Sequence, residues 1–429
     1  MTAGFVLGSL DLMDTTGSPF AVETMADGTD FGNPQPIEVA IRSLLQDGSA
    51  TVHEGDDNRE LPLRIKISAS DSGGLAQGEE ALMAELYRRN TLTYTPADGW
   101  GPPTVFDVVT SSLAFSTDDL AENRGEHYWL VRLVCLPFGR SETAVTISPT
   151  PTTIGTARQT SYSFTVDGSA RTEAAVHVGG GASTSALDNT LFYTRPGAQG
   201  MIPLRQYRTA GGATTTDAAM VSGAYDQNLE TQFVADIPKA NVPDGTYVLV
   251  ARLRSASGSG SAVLTVDALT VIGSTTVDTT TQAVTVPGLS TTYGLYQLGP
   301  AFQLPSALVV TEAGAYISVR IQDAASGLTV RMDEAWLIEV GSGCLSWPVL
   351  DVGGPVHVWA EPPSTSQPLR RVIAGVSADQ SDAFGVADLS GGAHVLEPGA
   401  NFGFVVTDGN TTSTMTLTVD KRWHTHAAS

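Results

Sequence analysis

Leu61-Pro62-Leu63-Arg64-Ile65-Lys66-Ile67 puts an apolar side chain at every odd position and a polar residue or proline between them. A period of two is that of a β-strand with one face in a core and the other toward water. The same reading extends outward in both directions. Phe106-Asp107-Val108-Val109 reads as a strand, and Tyr128-Trp129-Leu130-Val131-Arg132-Leu133-Val134-Cys135-Leu136 has so few polar residues that it reads as a central one. Thr246-Tyr247-Val248-Leu249-Val250-Ala251-Arg252-Leu253 and Tyr316-Ile317-Ser318-Val319-Arg320-Ile321 follow the rule. So do 402–406 and 415–419, the latter with Met415, Leu417 and Val419 on one face. One segment breaks the pattern. Leu75, Leu82, Met83, Leu86 and Tyr87 fall near helical spacing, which predicts an amphipathic helix over 75–90 with Glu79 and Glu80 early and Arg88 and Arg89 in its last turn. The fold class is therefore all-β: two or three antiparallel β-sandwich, jelly-roll-like domains with one short amphipathic helix near 75–90.

The chain has 429 residues, more than one hydrophobic core serves well, so two or three domains are expected. Forty-four glycines and 23 prolines punctuate it. Thr146-Ile147-Ser148-Pro149-Thr150-Pro151-Thr152-Thr153 reads as a proline-punctuated linker, and Val340-Gly341-Ser342-Gly343 as a second break. These breaks give segments 1–147, 148–342 and 343–429. Two arrangements fit them: three domains in a row, or a middle sandwich inserted into a discontinuous domain that 343–429 completes. The second requires the ends of the insertion to lie close together, and Cys135 and Cys344 flank it.

Charge narrows the function. Twenty-three Lys and Arg stand against 45 Asp and Glu, a net charge of −22, which disfavours general nucleic-acid binding and binding to acidic membranes. It suits a soluble particle, or a lumen past which an anion slides. Two cysteines make no disulfide framework. Residues 1–12 carry no Lys or Arg ahead of their apolar residues and do not read as a secretory signal, and no run of about 18 apolar residues reads as a membrane span.

Motifs for chemistry are sparse. The G-x-S-x-G, G-x-x-x-x-G-K-[ST] and H-E-x-x-H patterns are absent. Gly258-Ser259-Gly260-Ser261 lacks the last glycine of a phosphate loop and reads as a hairpin turn between Arg254 and a strand 262–266. His424-Thr425-His426 has a spacing that metals use but no third ligand nearby, so it reads as an exposed tail. Asp56-Asp57, Asp118-Asp119 and Asp333-Glu334 read as solvated loop charges, because neighbours on a strand point apart and cannot face each other across a sugar. Asn410-Thr411-Thr412 is a glycosylation sequon by letter only. No catalytic, cofactor or metal residue is therefore assigned. Aromatic rings can stack on sugars, and the middle segment holds Tyr193, Tyr207, Tyr225, Tyr293 and Tyr296. Tyr193, Tyr207 and Tyr225 are the candidate glycan contacts, against the plainer reading that such tyrosines pack the sandwich. Trp336, in Ala335-Trp336-Leu337-Ile338, reads as core.

The run from Ile65-Lys66-Ile67 through the helix to Asn90-Thr91-Leu92-Thr93-Tyr94, then Phe106–Val109 and Tyr128–Phe138, resembles minor tail proteins of actinobacterial siphophages, and within them the distal tail protein of the baseplate region. The resemblance covers residues 1–147 and the last 85 or so, where Thr416–Trp423 is the matching closing strand. Val330–Ile338 is similar to the final strand of jelly-roll carbohydrate-binding modules, which implies such a module over 154–340. From this resemblance follow the expectations of a virion structural protein assembled in the host cytoplasm. It would be a closed homo-oligomeric ring, a hexamer, between tail tube and tail hub, with the tube, hub and tape measure proteins as partners. DNA would pass through without specific binding, and the outward module would contact host cell-wall glycans. Strand edges exposed on one copy would pair with the next. The reading from a different class is a sugar-binding adhesin or receptor-binding tail protein, and a cell-wall hydrolase is the weakest of the three.

Overall fold

The computed structural model describes residues 3–26, 29–31, 34, 36–41, 50–97, 101–115, 125–154, 156–179, 190–197, 201–216, 220–221, 226–243, 245–304, 314–324, 327–339, 343–347, 357–360, 372–376, 379–382, 394–408 and 413–423. The protein is all-β, with antiparallel sheets throughout and one α-helix among the described residues. It divides into two compact units. The first holds residues 1–145, 167–172 and 420–429, and the second holds 146–166 and 173–419.

In the first unit one sheet runs in the order Leu10–Asp11, Gly4–Leu7, Asn90–Thr95, Thr104–Phe115, Glu126–Cys135, Arg59–Ala69, Phe20–Met25. The strand Arg59–Ala69 buries the residues its alternation predicted: Leu61, Leu63, Ile65 and Ile67 all lie in the core with Phe106, Val131, Leu133 and Cys135. Residues 12–14 tie the ends of the sheet together. The Leu12 amide donates to the Phe5 carbonyl, while the Thr24 and Val22 amides donate to the Leu12 and Asp14 carbonyls, each at 2.8 Å. The sheet is thus nearly closed, and its outer edges already have partners. Among the described residues the strand Pro36–Ile41 pairs only with Ala50–Asp56, a two-stranded ribbon outside this sheet.

The helix runs over Ser72–Leu86, starting three residues before the expected 75 and ending four before the expected 90. Asp71 caps it, its carboxylate accepting from the Gly74 amide at 2.7 Å. The last helical bond is Tyr87 N–H to Met83 C=O, and Asn90 then folds its side-chain amide back onto the Glu85 carbonyl. Arg88 and Arg89 consequently lie beyond the helix, and Glu79 and Glu80 sit in its middle. Gly78 lets the helix approach the sheet: a Cβ there would meet Ile67 Cγ2 at 2.6 Å. The unit is completed from the chain's far end. Arg422–Trp423 pairs with Gly139–Ser141, which pairs in turn with Thr104–Phe115.

The second unit contains two pairs of sheets. One sheet is ordered Pro151–Ile154, Thr156–Val166, Gly399–Val406, Thr190–Pro196, Gly343–Trp347, and another carries Thr414–Val419 beside Thr172–Gly179, His357–Ala360, Val372–Val376 and Asp379–Asp382. The supposed linker therefore includes a paired strand, because Pro151–Ile154 hydrogen-bonds along Thr156–Val166. Cys344 aligns with Tyr193 in the backbone register. Cys135, in the first unit, is fully buried, and burial pushes its thiol up to about 12.

The other pair is a sandwich. One sheet centres on Gly245–Ser255 and Val330–Glu339, the other on Ala315–Asp323 and Gly260–Ile272 with Thr275–Leu289 at the edge. Leu249, Ala251 and Leu253 face Leu264, Val266, Val319 and Ile321 in one core. Because Gly245–Ser255 and Gly260–Ile272 belong to different sheets, the glycine-serine turn carries the chain from one sheet to the other and closes no hairpin.

Candidate functional site

Val330–Glu339 organises the second unit. It pairs with Gly245–Ser255 in a register that shifts between Arg252 and Leu253, so that Asp333 is an extra residue, a β-bulge. The bulge changes which parity faces the sandwich core: Val330 and Met332 before it, Ala335 and Leu337 after it. The alternate residues Trp336 and Ile338 point the other way, into a second core with Leu191, Tyr193, Phe402, Phe404 and Val406 from the neighbouring sheet. The Trp336 ring lies 6.1 Å from that of Phe404. One strand is thus buried on both faces and joins the sandwich to its neighbour.

Charge is built into the joint. Arg252 donates to Asp333 at 2.6 Å and also reaches Asp408, and the Val221 amide donates to the same Asp333 oxygen at 2.8 Å. The Arg252 and Arg254 guanidinium groups lie 4.4 and 4.9 Å from the Tyr293 ring centroid. Burial raises the Asp333 carboxyl above its ordinary range, against the pull of Arg252 and the Val221 amide. Beside it, Glu334 accepts from the Arg205 and Ala335 amides, both at 3.1 Å. Burial pushes Glu334 up to about 7, with Arg205 opposing. Asp333-Glu334 is therefore not a pair of solvated loop charges. Both acids are buried because the strand carrying them has protein on each side, which its two letters alone do not reveal. Their donors are amides and a guanidinium, an arrangement that ties neighbouring strands and loops together.

A small cavity of about 120 Å³ opens near the end of the same strand, lined by Arg195, Met201, Ile202, Ala240, Asn241, Pro243 and Tyr247. Arg195, from Thr190–Pro196, pairs with Glu339 at 2.7 Å and donates to the Pro196 carbonyl at 2.9 Å. Asn241 donates to the Tyr207 hydroxyl at 3.3 Å, and Tyr247 donates to the Pro243 carbonyl at 2.9 Å. A guanidinium and an amide thus stand beside the apolar surfaces of Met201, Ile202 and Pro243. That chemistry suits a small hydroxylated group, and the volume falls well below the roughly 300–1,000 Å³ of drug-sized ligand pockets.

The candidate glycan tyrosines separate. Tyr193 is a core residue, fully buried in the joint, and presents no ring to a ligand. Tyr207 is half-buried against the sandwich core and touches the cavity's Asn241, whereas Tyr225 lies outside the described residues. Tyr293 is buried beneath two arginines and Trp336 is core, as read. Arg195 and Asn241 were not singled out by the sequence; they come together from two separate elements with no shared motif. Asp57 is exposed, as a loop charge should be. Asp118-Asp119, Asn410, His424 and His426 lie outside the described residues. Among the described residues no group of three His, Cys, Asp or Glu side chains could hold a metal ion, and no helix is long and apolar enough to cross a membrane.

No protein-family model matches the chain, and no curated protein matches it. Among solved structures it is similar to the SPP1 Dit (gp 19.1) protein, described as a paradigm of the hub adsorption apparatus in phages infecting Gram-positive bacteria. That match has 10% identity and a TM-score of 0.38, over 98% of this chain and 99% of the other. It is similar to a chain of the phage P2 baseplate in its activated conformation with calcium, with 6% identity and a TM-score of 0.28, over 97% of this chain and 98% of that one. It is also similar to the tandem CBM22 domain of Paenibacillus barcinonensis Xyn10C, with 9% identity and a TM-score of 0.22, over 60% of this chain and all of the other.

Proposed function

We propose that this chain is a structural component of a phage tail tip, in which the first unit forms a closed ring of six copies joining tail tube to hub and the second unit is carried outward. The observation that carries the reading is the chain's return: Arg422–Trp423 closes onto Gly139–Ser141, so residues 173–419 are an insertion into a base that is completed only at the end of the chain. Such nesting is how a scaffold carries an appended module. The base's sheet is nearly closed on itself, so ring contacts would use its faces, its loops and the two-stranded ribbon Pro36–Ile41/Ala50–Asp56, an element of marginal stability without a partner. The charge of −22 fits a lumen that lets DNA pass without holding it. Tail tube, hub and tape measure proteins are the partners of this reading, and the virion is its location.

Light scattering on the purified chain and electron microscopy of virions test it. Sixfold rings, and tails that fail to assemble without the chain, are expected. A chain that stays monomeric alone and with tail proteins, or normal tails in its absence, overturns it. The cavity at Arg195 favours a second role for the module, contact with host glycans. Glycan-array binding lost in Asn241→Ala supports that role, and no binding by the intact protein removes it without touching the ring.

A further inference from the structure

The helix Ser72–Leu86 buries one face in the first unit and leaves the other in water. Gln77, Glu80, Ala84 and Tyr87 are exposed and follow one another at helical spacing, and the exposed Arg88 and Arg89 come just past the helix end. Tyr87 is 84% exposed, the most exposed of the large hydrophobic residues in the described chain. It continues the helical path, its amide bonded to the Met83 carbonyl. Arg88 is anchored to the buried Glu85 at 2.5 Å, which fixes this corner of the surface. Glu80 and Arg89, by contrast, have no partner among the described residues. In this unit Lys66, Arg132, Arg140 and Lys421 are each paired with an acid.

We propose that this helix face is a two-fold contact between copies of the chain, with the helices packed antiparallel about Ala84. The row is complementary to itself. Its acid lies about 10 Å along the axis from its tyrosine, at 1.5 Å per residue, and its arginines lie just past the tyrosine. An antiparallel copy centred on Ala84 sets Glu80 against the Arg88–Arg89 corner of the second copy and lays Tyr87 over that copy's Ala81. The two-fold axis then repeats both contacts. The small side chain of Ala84 at the crossing lets the helices approach, and an exposed Tyr beside Arg is the composition of interface anchors. An unrelated acidic partner would use the arginines but leave Glu80 unmatched. A second copy uses both.

The contact does not depend on the ring, and charge swaps in the full-length protein test it. Arg89→Glu alone and Glu80→Arg alone each set like charges against each other twice per contact. Each is expected to halve the particle mass measured by sedimentation and to weaken association at least tenfold. The double variant Glu80→Arg/Arg89→Glu exchanges the two charges and is expected to restore the mass. Tyr87→Ser, which keeps the charges, is expected to weaken association as well. All these positions are exposed, so an unchanged circular dichroism spectrum and a cooperative melt certify each variant as folded. A particle that keeps its mass through both single swaps, a double variant that stays dissociated, or a monomeric parent protein overturns the contact. A ring that survives every swap leaves the proposed function standing and removes this inference alone.

Discussion

Glu334 is a carboxyl held by two backbone amides inside a joint, where burial raises its titration to about 7 from an ordinary value near 4.5. In the unfolded chain the group loses its proton by about pH 5, whereas in the folded protein it keeps it to about 7. The folded state therefore binds more protons across that window, and its stability falls as pH rises from about 4.5 to 7. The amount is on the order of 3 kcal/mol at most, at 1.36 kcal/mol per pH unit. Glu334→Gln keeps an oxygen for both amides and removes the ionisation. Its melting temperature is expected to exceed that of the parent at pH 8 and to match it near pH 4.5; an equal slope in both proteins would sink the assignment. Glu85, in the first unit, behaves oppositely. Burial alone would raise it, but hydrogen bonds from Arg88, Ser9 and Asn90 together hold it down to about 2, so its contribution is present above pH 4.5 and lost as pH falls through 2. Gly8 turns beside this carboxylate at φ 59°, and a Cβ there would strike the Glu85 carboxylate and the Asn90 amide. Gly8→Ala is expected to cost roughly 2 kcal/mol or more in denaturant melts, from left-handed strain and displaced hydrogen bonds.

The helix Ser72–Leu86 shows how far an element can be read from its letters. Asp71→Ala removes the cap on the Gly74 amide and is expected to cost about 1 kcal/mol, measured as a shift in the unfolding midpoint at unchanged slope. The apolar stripe of Leu75, Leu82 and Leu86 announced this helix, because its period follows from one buried face. Its end was not legible. Arg88 and Arg89 look like last-turn residues, but Asn90 and Glu85 close the helix earlier through side-chain bonds that propensity does not encode. Strands were legible for the same reason the helix was: Arg59–Ala69 and Thr414–Val419 each bury one parity. What alternation cannot say is which sheet a strand joins. The glycine-serine turn after Ser255 was misread on that account, since a tight turn looks alike whether it pairs two strands or sends the chain to the opposite sheet. Val330–Glu339 hid more, because a strand buried on both faces has no polar parity, and its acids pass for a loop until their donors are found. The site residues Arg195, Met201 and Asn241 converge from separate segments, so no spacing could bring them together.

At the scale of the whole chain, the first unit depends on residues that arrive last. Arg422–Trp423 pairs with Gly139–Ser141, the Ser169 and Ala170 amides both donate to the Arg422 carbonyl, and Thr172 donates to the Asp420 carbonyl. Lys421 pairs with Asp167 at 2.6 Å, and Trp423 is buried. The second unit has its own cores and its buried Arg252–Asp333 pair, none of which uses residues beyond 419. Removing residues 420–429 should therefore act on one unit only. Loss of a buried tryptophan costs about 3 kcal/mol, and the orphaned strand partners add to it. Calorimetry of the full chain is expected to resolve two transitions, and in the truncated chain one of them falls by several degrees while the other stays in place. Trp423→Ala is expected to move the same transition by a smaller amount. If both transitions fall together, the insertion lends its stability to the base; if neither moves, the returning strand is decoration and the base is complete without it.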